Sequence, residues 1–311
     1  PALIVTWVLA SECISLSFHA AASTFFTLLW VVGYCIVPGV AYFLPNWSHM
    51  MLAISIPAIL FAILLLFTIP ESFHFLIEKK KEKAAQKWIQ KFESKKKKLD
   101  CDAGELIKRI EEKQKLEGEK DKTNCSASLQ FLWAHKKYIC LLVAFTFLWI
   151  IDWLVYNSVS LLSTHLSDNP YLSFLYSGIA EMPACFILPL AVNWVGCKVT
   201  VVTCHFIAAA TLFPLTFLSP VDNETVYTSL WLLGKLAISI CMNSLFVYGA
   251  EIFPPIIRST CLGTAAFFGN IGGMIPFQTN TLLLTIHAVA PVAFYSLLSL
   301  IGGGITFALP K

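Results

Sequence analysis

Residues 138–164 read YICLLVAFTFLWIIDWLVYNSVSLLST. The run is as long as a helix needs to cross about 30 Å of hydrocarbon, and its one formal charge is Asp152. An ionisable group inside such a run is costly to place in lipid, so it marks a candidate functional position. Uncharged or nearly uncharged runs recur at 19–44, 49–70, 171–192, 199–219, 227–250, 259–284 and 286–309. With 57% hydrophobic residues in 311 and a mean hydropathy of +0.71, these runs exclude an ordinary soluble domain. They predict an all-α membrane protein with about eight complete transmembrane helices and a partial one at 1–12. The chain opens on Pro1 without a charged leader or a small-residue cleavage site, and reads as a fragment.

Charge is spread unevenly. The net charge is +3, yet 18 of the 22 basic residues lie between Lys79 and Lys137, and 12 of the 19 acids between Glu71 and Asp121. One polar loop, 71–137, therefore divides the chain into 1–70 and 138–311. Lys198, Arg258 and Lys311 fall an even number of crossings from that loop, while the alternate connections carry no Lys or Arg. The positive-inside rule assigns the basic side, with the central loop and the C-terminus, to the cytoplasm. Asn223, in an Asn-Glu-Thr sequon on an outside loop, is open to glycosylation.

Within the loop, Ala84, Trp88, Ile89 and Phe92 share a helical face, as do Leu106, Ile110 and Lys113. Helices along the membrane base, a solvated Lys-rich linker and a surface that attracts anionic lipid are three open readings of this stretch. The ten cysteines show no CxxC and no zinc-like spacing. We expect no disulfide framework, metal or cofactor. Neither a nucleophile elbow nor a phosphate loop supports an enzyme, and nothing points to nucleic acid.

The motifs at the loop's edges carry a resemblance. The run Gly33-Tyr34, Pro38, Ala41-Tyr42-Phe43 and Trp47, then Pro70-Glu71-Ser72 and Leu76, resembles the fifth and sixth helices of the organic ion transporters. These are the organic cation, anion and carnitine carriers, a solute carrier branch of the major facilitator superfamily. Phe73, His74 and Phe75 replace that family's Pro-Arg-Trp. Phe174-Leu175-Tyr176-Ser177, Glu181, Pro183, Leu233-Gly234-Lys235, Glu251-Ile252-Phe253-Pro254 and Arg258 follow in the family's order and spacing. Val8-Leu9-Ala10-Ser11-Glu12 looks like the end of its fourth helix. The resemblance implies a major facilitator fold that is N-terminally truncated. Residues 1–70 would end the first helical half, 71–137 would be the cytoplasmic loop, and 138–311 the second six-helix half.

It also implies transport of small organic ions across the lipid bilayer, plasma membrane by expectation, through alternating access. Asp152 and Tyr156 are one turn apart, with Asn157 adjacent and Trp149 and Trp153 flanking. A carboxylate among aromatic faces suits an organic cation. The other reading is that Asp152 pairs with a neighbouring helix and never meets substrate. Glu181 and Lys235 have opposite charge on different helices, which favours a structural salt bridge over direct substrate contact. Arg258 and Glu251 flank a Pro254-Pro255 turn, and Lys198 keeps one cation of a superfamily gating motif. Asn270 stands where the resemblance places an acid in cation carriers and Arg in anion carriers, so it is a substrate-contact candidate without a charge. If Glu181 neutralises Lys235, Asp152 leaves the site net acidic, which leans towards organic cations or zwitterions such as carnitine. An anion carrier using Lys235 is the alternative, and a truncated form that modulates a full-length relative is a further one.

Overall fold

The computed structural model describes residues 19–68, 132–133, 135–166, 168–218 and 224–310. The expected stub at 1–12 with Glu12, and the central stretch 69–131, lie outside the described residues. Ten α-helices account for the rest. They are α1 (His19–Phe43), α2 (Trp47–Thr68), α3 (Lys136–Leu162), α4 (Pro170–Ile179), α5 (Met182–Val195), α6 (Cys197–Leu212), α7 (Glu224–Ile252), α8 (Pro255–Met274), α9 (Pro276–Ile286) and α10 (Ala290–Ala308). Helical turns of 3₁₀ type follow α3 and α6. By their contacts the residues fall into two units, 1–23 with 51–124 and 24–50 with 125–311. The second unit holds every site residue described below.

Among the described residues, seven segments are long and apolar enough to cross a membrane. The run expected at 171–192 is α4 and α5, which meet at Ala180–Glu181 just before Pro183. Proline has no N–H to give the carbonyl one turn back, so a helix that reaches it bends or restarts. The run expected at 259–284 divides the same way, at Ile275 before Pro276, into α8 and α9. A membrane tolerates such breaks where neighbouring helices satisfy the freed backbone groups. Asn169 starts α4 by accepting the Tyr171 and Leu172 amides at 3.1 and 3.2 Å. Between α5 and α6, Gly196 sits at φ 86°, a conformation that side-chain-bearing residues avoid.

The core of the second unit is centred on α3, which packs on α7, α8, α9 and α10, while α6 packs on α7 and α10. The α3–α8 contact is close because Gly272 faces backbone: a Cβ there would lie 2.6 Å from the Ile150 carbonyl oxygen. Phe145, Leu148, Val155, Ile238 and Tyr248 fill the core with almost no exposure. In hydrocarbon such contacts act through close packing, because lipid is as apolar as the side chains it would replace.

Candidate functional site

Two buried charge clusters lie along α3. The first stands at the α4–α5 break. Glu181, ending the turn between the two helices, places Oε1 2.8 Å from the Lys235 ammonium on α7. Tyr156 of α3 donates its hydroxyl to Glu181 Oε2 at 3.1 Å. The ammonium also donates to the Ser160 hydroxyl and rests over the Tyr156 ring, 3.5 Å from its centroid. A second ring, Tyr34 of α1, lies 5.8 Å from the same nitrogen. Tyr34 is stacked on Phe174 at 4.5 Å and its hydroxyl lies 3.5 Å from Ser177. Gly178 lets α4 approach that ring, since a Cβ there would meet Tyr34 Cδ1 at 2.5 Å. Lys235 is fully buried, with Glu181 at 4% and Tyr156 at 7% exposure. The ammonium thus has a carboxylate, a hydroxyl and two aromatic faces around it, the chemistry that binds a cation away from water.

The second cluster begins one turn, about 6 Å, further along α3 from Tyr156, towards its N-terminus. Asp152 Oδ1 is 2.8 Å from His205 Nε2 on α6. Asp152 Oδ2 accepts the Cys241 thiol of α7 at 3.4 Å. His205 Nδ1 lies 2.9 Å from the Val201 carbonyl and 2.9 Å from Cys241 Sγ. All three side chains are fully buried. They are of the kinds that bind metals, with donor atoms within 4.8 Å of one another. Here Nδ1 faces the Val201 carbonyl, and Nε2 stands at ion-pair distance from the carboxylate, whose Oδ1 makes no aligned hydrogen bond.

The contacts of the remaining candidates differ in kind. Asn157 donates to the Trp153 carbonyl at 2.7 Å, and Asn270, which is exposed, to the Ala266 carbonyl at 2.7 Å. Both are bonds within one helix, and neither residue joins a charge cluster. Lys198 donates to the Phe307 carbonyl at 2.9 Å and to that of Leu309, where it satisfies carbonyls at the C-terminal end of α10. Tyr248 holds the adjoining Pro310 carbonyl at 2.8 Å. Arg258 reaches the Phe253 carbonyl at 3.3 Å, and Glu251 is exposed. Of the five residues grouped as a charge network, the structure joins Glu181 with Lys235. Lys198 and Arg258 instead bond backbone carbonyls.

His205 is absent from the sequence-derived candidates. Its signal is nonetheless in the sequence, because it is an ionisable side chain in the middle of the apolar run 199–219.

Residues 10–310 match the family described as sugar (and other) transporter. The chain belongs to that family. A Caenorhabditis elegans relative is 34% identical over 307 residues, covering 98% of this chain and 60% of the relative. The Drosophila melanogaster organic cation transporter-like protein is 28% identical over 320 residues, 99% of this chain and 55% of that protein. Human organic anion transporter 3 is 28% identical over 314 residues, 98% and 56% of the two chains. Among solved structures, the major facilitator superfamily proton:xylose symporter bound to 6-bromo-6-deoxy-D-glucose superposes with a TM-score of 0.60 at 17% identity. That superposition covers 97% of this chain and 66% of the symporter. This member of the sugar (and other) transporter family therefore has a major facilitator fold and is a multi-pass integral membrane protein, not an enzyme. It spans between 55% and 60% of the length of these curated relatives.

Proposed function

We propose that the protein carries small organic ions across the membrane by alternating access, with organic cations and zwitterions such as carnitine as its substrates. The observation that carries this reading is the setting of Lys235. An internal ammonium lies 2.8 Å from a carboxylate and 3.5 Å from a tyrosine ring centroid. A substrate ammonium that entered there would find the same partners, Glu181, Tyr156 and Tyr34. The position supports the reading too. Glu181 stands at a break between two half-helices, where transporters of several folds place their substrate groups. Asp152 and Asn270 stand outside this reading of the site, one tied to His205 and the other bonded within its helix.

Relatives named for organic cations and for organic anions are equally similar, each at 28% identity. A substrate of either charge would require Lys235 and Glu181 to part, a cation taking Glu181 and an anion Lys235, and the test below separates the two. We take the membrane to be the plasma membrane; the distribution of basic residues supports a cytoplasmic central stretch and C-terminus, and the Lys-rich sequence between 79 and 137 supports contact with anionic lipid.

The test is uptake of radiolabelled tetraethylammonium, carnitine and benzoate by cells expressing the chain with its native flanking sequence, normalised to surface protein. Uptake of the first two above that of benzoate supports the proposal. Benzoate uptake alone would move the assignment to anions, and no uptake at normal surface level would remove the transport reading.

A further inference from the structure

The transport reading leaves His205 without a task. The two nitrogens of this fully buried ring face two acceptors, the Val201 carbonyl at 2.9 Å and Asp152 Oδ1 at 2.8 Å. Nδ1 therefore carries a proton for Val201. Nε2 stands 2.8 Å from Asp152 Oδ1, an ion-pair distance without hydrogen-bond alignment, and a second proton on the ring or the carboxyl keeps two lone pairs from facing each other there. Written on the imidazole or on the carboxyl, that proton leaves the pair neutral overall. Its loss leaves one negative charge. Cys241 gives Asp152 a thiol hydrogen bond but supplies no positive charge in exchange.

We propose that Asp152 and His205 form a buried binding site for one exchangeable proton, whose release accompanies the opening of the α3–α6 contact during the transport cycle. The consequence for uptake rests on the transport reading, whereas the proton site itself does not. On release, the shared proton passes to a water molecule, its bonding electron pair stays on nitrogen or oxygen, and nothing is oxidised or reduced. An unpaired charge at zero exposure is strongly disfavoured, so losing the proton and admitting water go together.

The surroundings isolate the proton. On α6 itself Cys204 is adjacent in sequence, and α7 turns Cys241 to the ring. Among titratable side chains, α5 carries Cys185 alone and α10 Tyr295 alone, and the 3₁₀ turn Phe213–Thr216 has none. Lys235 is engaged with Glu181. Asp152 is thus the charged partner of the imidazole among the described residues. Packing fixes the ring as well: a Cβ on Gly302 of α10 would lie 2.5 Å from Nε2, and one on Gly303 3.3 Å from the His205 Cβ. A helix that shifts against α6 therefore bears directly on the nitrogen that shares the proton.

Two measurements test this. The first is an infrared difference titration, between about pH 4 and 10, of the purified chain with its native flanking sequence. We expect a one-proton step that changes carboxyl and imidazole bands together and disappears in both Asp152→Asn and His205→Gln. The absence of such a step in the unmodified protein, or its persistence in both variants, would overturn the proton site.

The second is tetraethylammonium accumulation in proteoliposomes under an imposed gradient of about one pH unit. One coupled proton changes accumulation by up to about tenfold, and in His205→Gln the ratio of accumulation with and without the gradient is expected to fall to about one. Uptake in the unmodified protein that ignores the gradient would overturn the coupling. No uptake of tetraethylammonium, carnitine or benzoate would refute the transport reading, while the infrared titration still decides the proton site.

Discussion

The two buried charge pairs both lie against α3 and use opposite chemistry. Glu181 meets Lys235 at a helix break, with aromatic faces and hydroxyls around the ammonium. Asp152 meets His205 from the uninterrupted middle of α3, between helices that leave it no exposure. Lysine is a strong base, so the first pair stays ionised or is broken. An imidazole gives up its proton more readily than an ammonium does, so the second pair can change its charge as its contact opens. The difference teaches that a buried acid in a membrane span identifies neither a substrate site nor a structural bridge until its partner is known.

The largest effect should come from breaking the first pair on one side only. Lys235→Met and Glu181→Gln each leave a buried group without its partner, and each is expected to destabilise by about 3–5 kcal/mol. The double variant should recover much of that loss, read as the thermal unfolding midpoint in detergent. If the double variant falls as far as the sum of the two singles, the residues do not act as a pair.

Asp152→Asn should cost less, about 1.5–3 kcal/mol for a lost charged hydrogen bond, because His205 can shed its proton once its counter-charge is gone. A loss equal to that of Lys235→Met would erase the distinction between the pairs.

Next come the two glycines that leave room for the ring systems. Gly178→Ala crowds Tyr34 and Gly302→Ala crowds His205, each with a Cβ contact of 2.5 Å. Each is expected to destabilise by about 1–3 kcal/mol through overpacking. Gly304→Ala meets nothing within 4 Å and should be neutral or gain up to about 1 kcal/mol from helix propensity. Equal shifts at all three positions would mean that close approach is not what these glycines provide. The smallest effect belongs to Asn270→Ala, which removes a bond to its own helix and should stay within about 0.5 kcal/mol.

The spans were legible because hydrocarbon demands a run of apolar residues, and each expected run from 19–44 to 286–309 is occupied by a helix or a helix pair. The breaks at Glu181 and Ile275 were less so, since a proline marks a bend without saying whether the helix restarts. Opposite charge on Glu181 and Lys235 announced a pair. The partner of Asp152 stayed hidden because His205 carries no formal charge in the sequence, although its position in an apolar run is as unusual as that of an acid. Asp152 and Tyr156 lie one turn apart, yet they serve different clusters: the tyrosine hydroxyl reaches Glu181 and the carboxylate turns to α6. Helical spacing gives a shared side but not a shared neighbour. Lys198 found backbone carbonyls at the end of α10, a partner that side-chain charges in the sequence do not reveal.

The most direct measurement is tetraethylammonium uptake by the unmodified chain with its flanking sequence, by Glu181→Gln and by Tyr156→Phe, each normalised to surface protein. The expected result is uptake in the unmodified protein, loss of most of it in Glu181→Gln, and retention in Tyr156→Phe, which keeps the aromatic face and loses only the hydroxyl. Unchanged uptake in Glu181→Gln at normal surface level would contradict the assignment of this cluster as the place where an organic cation binds.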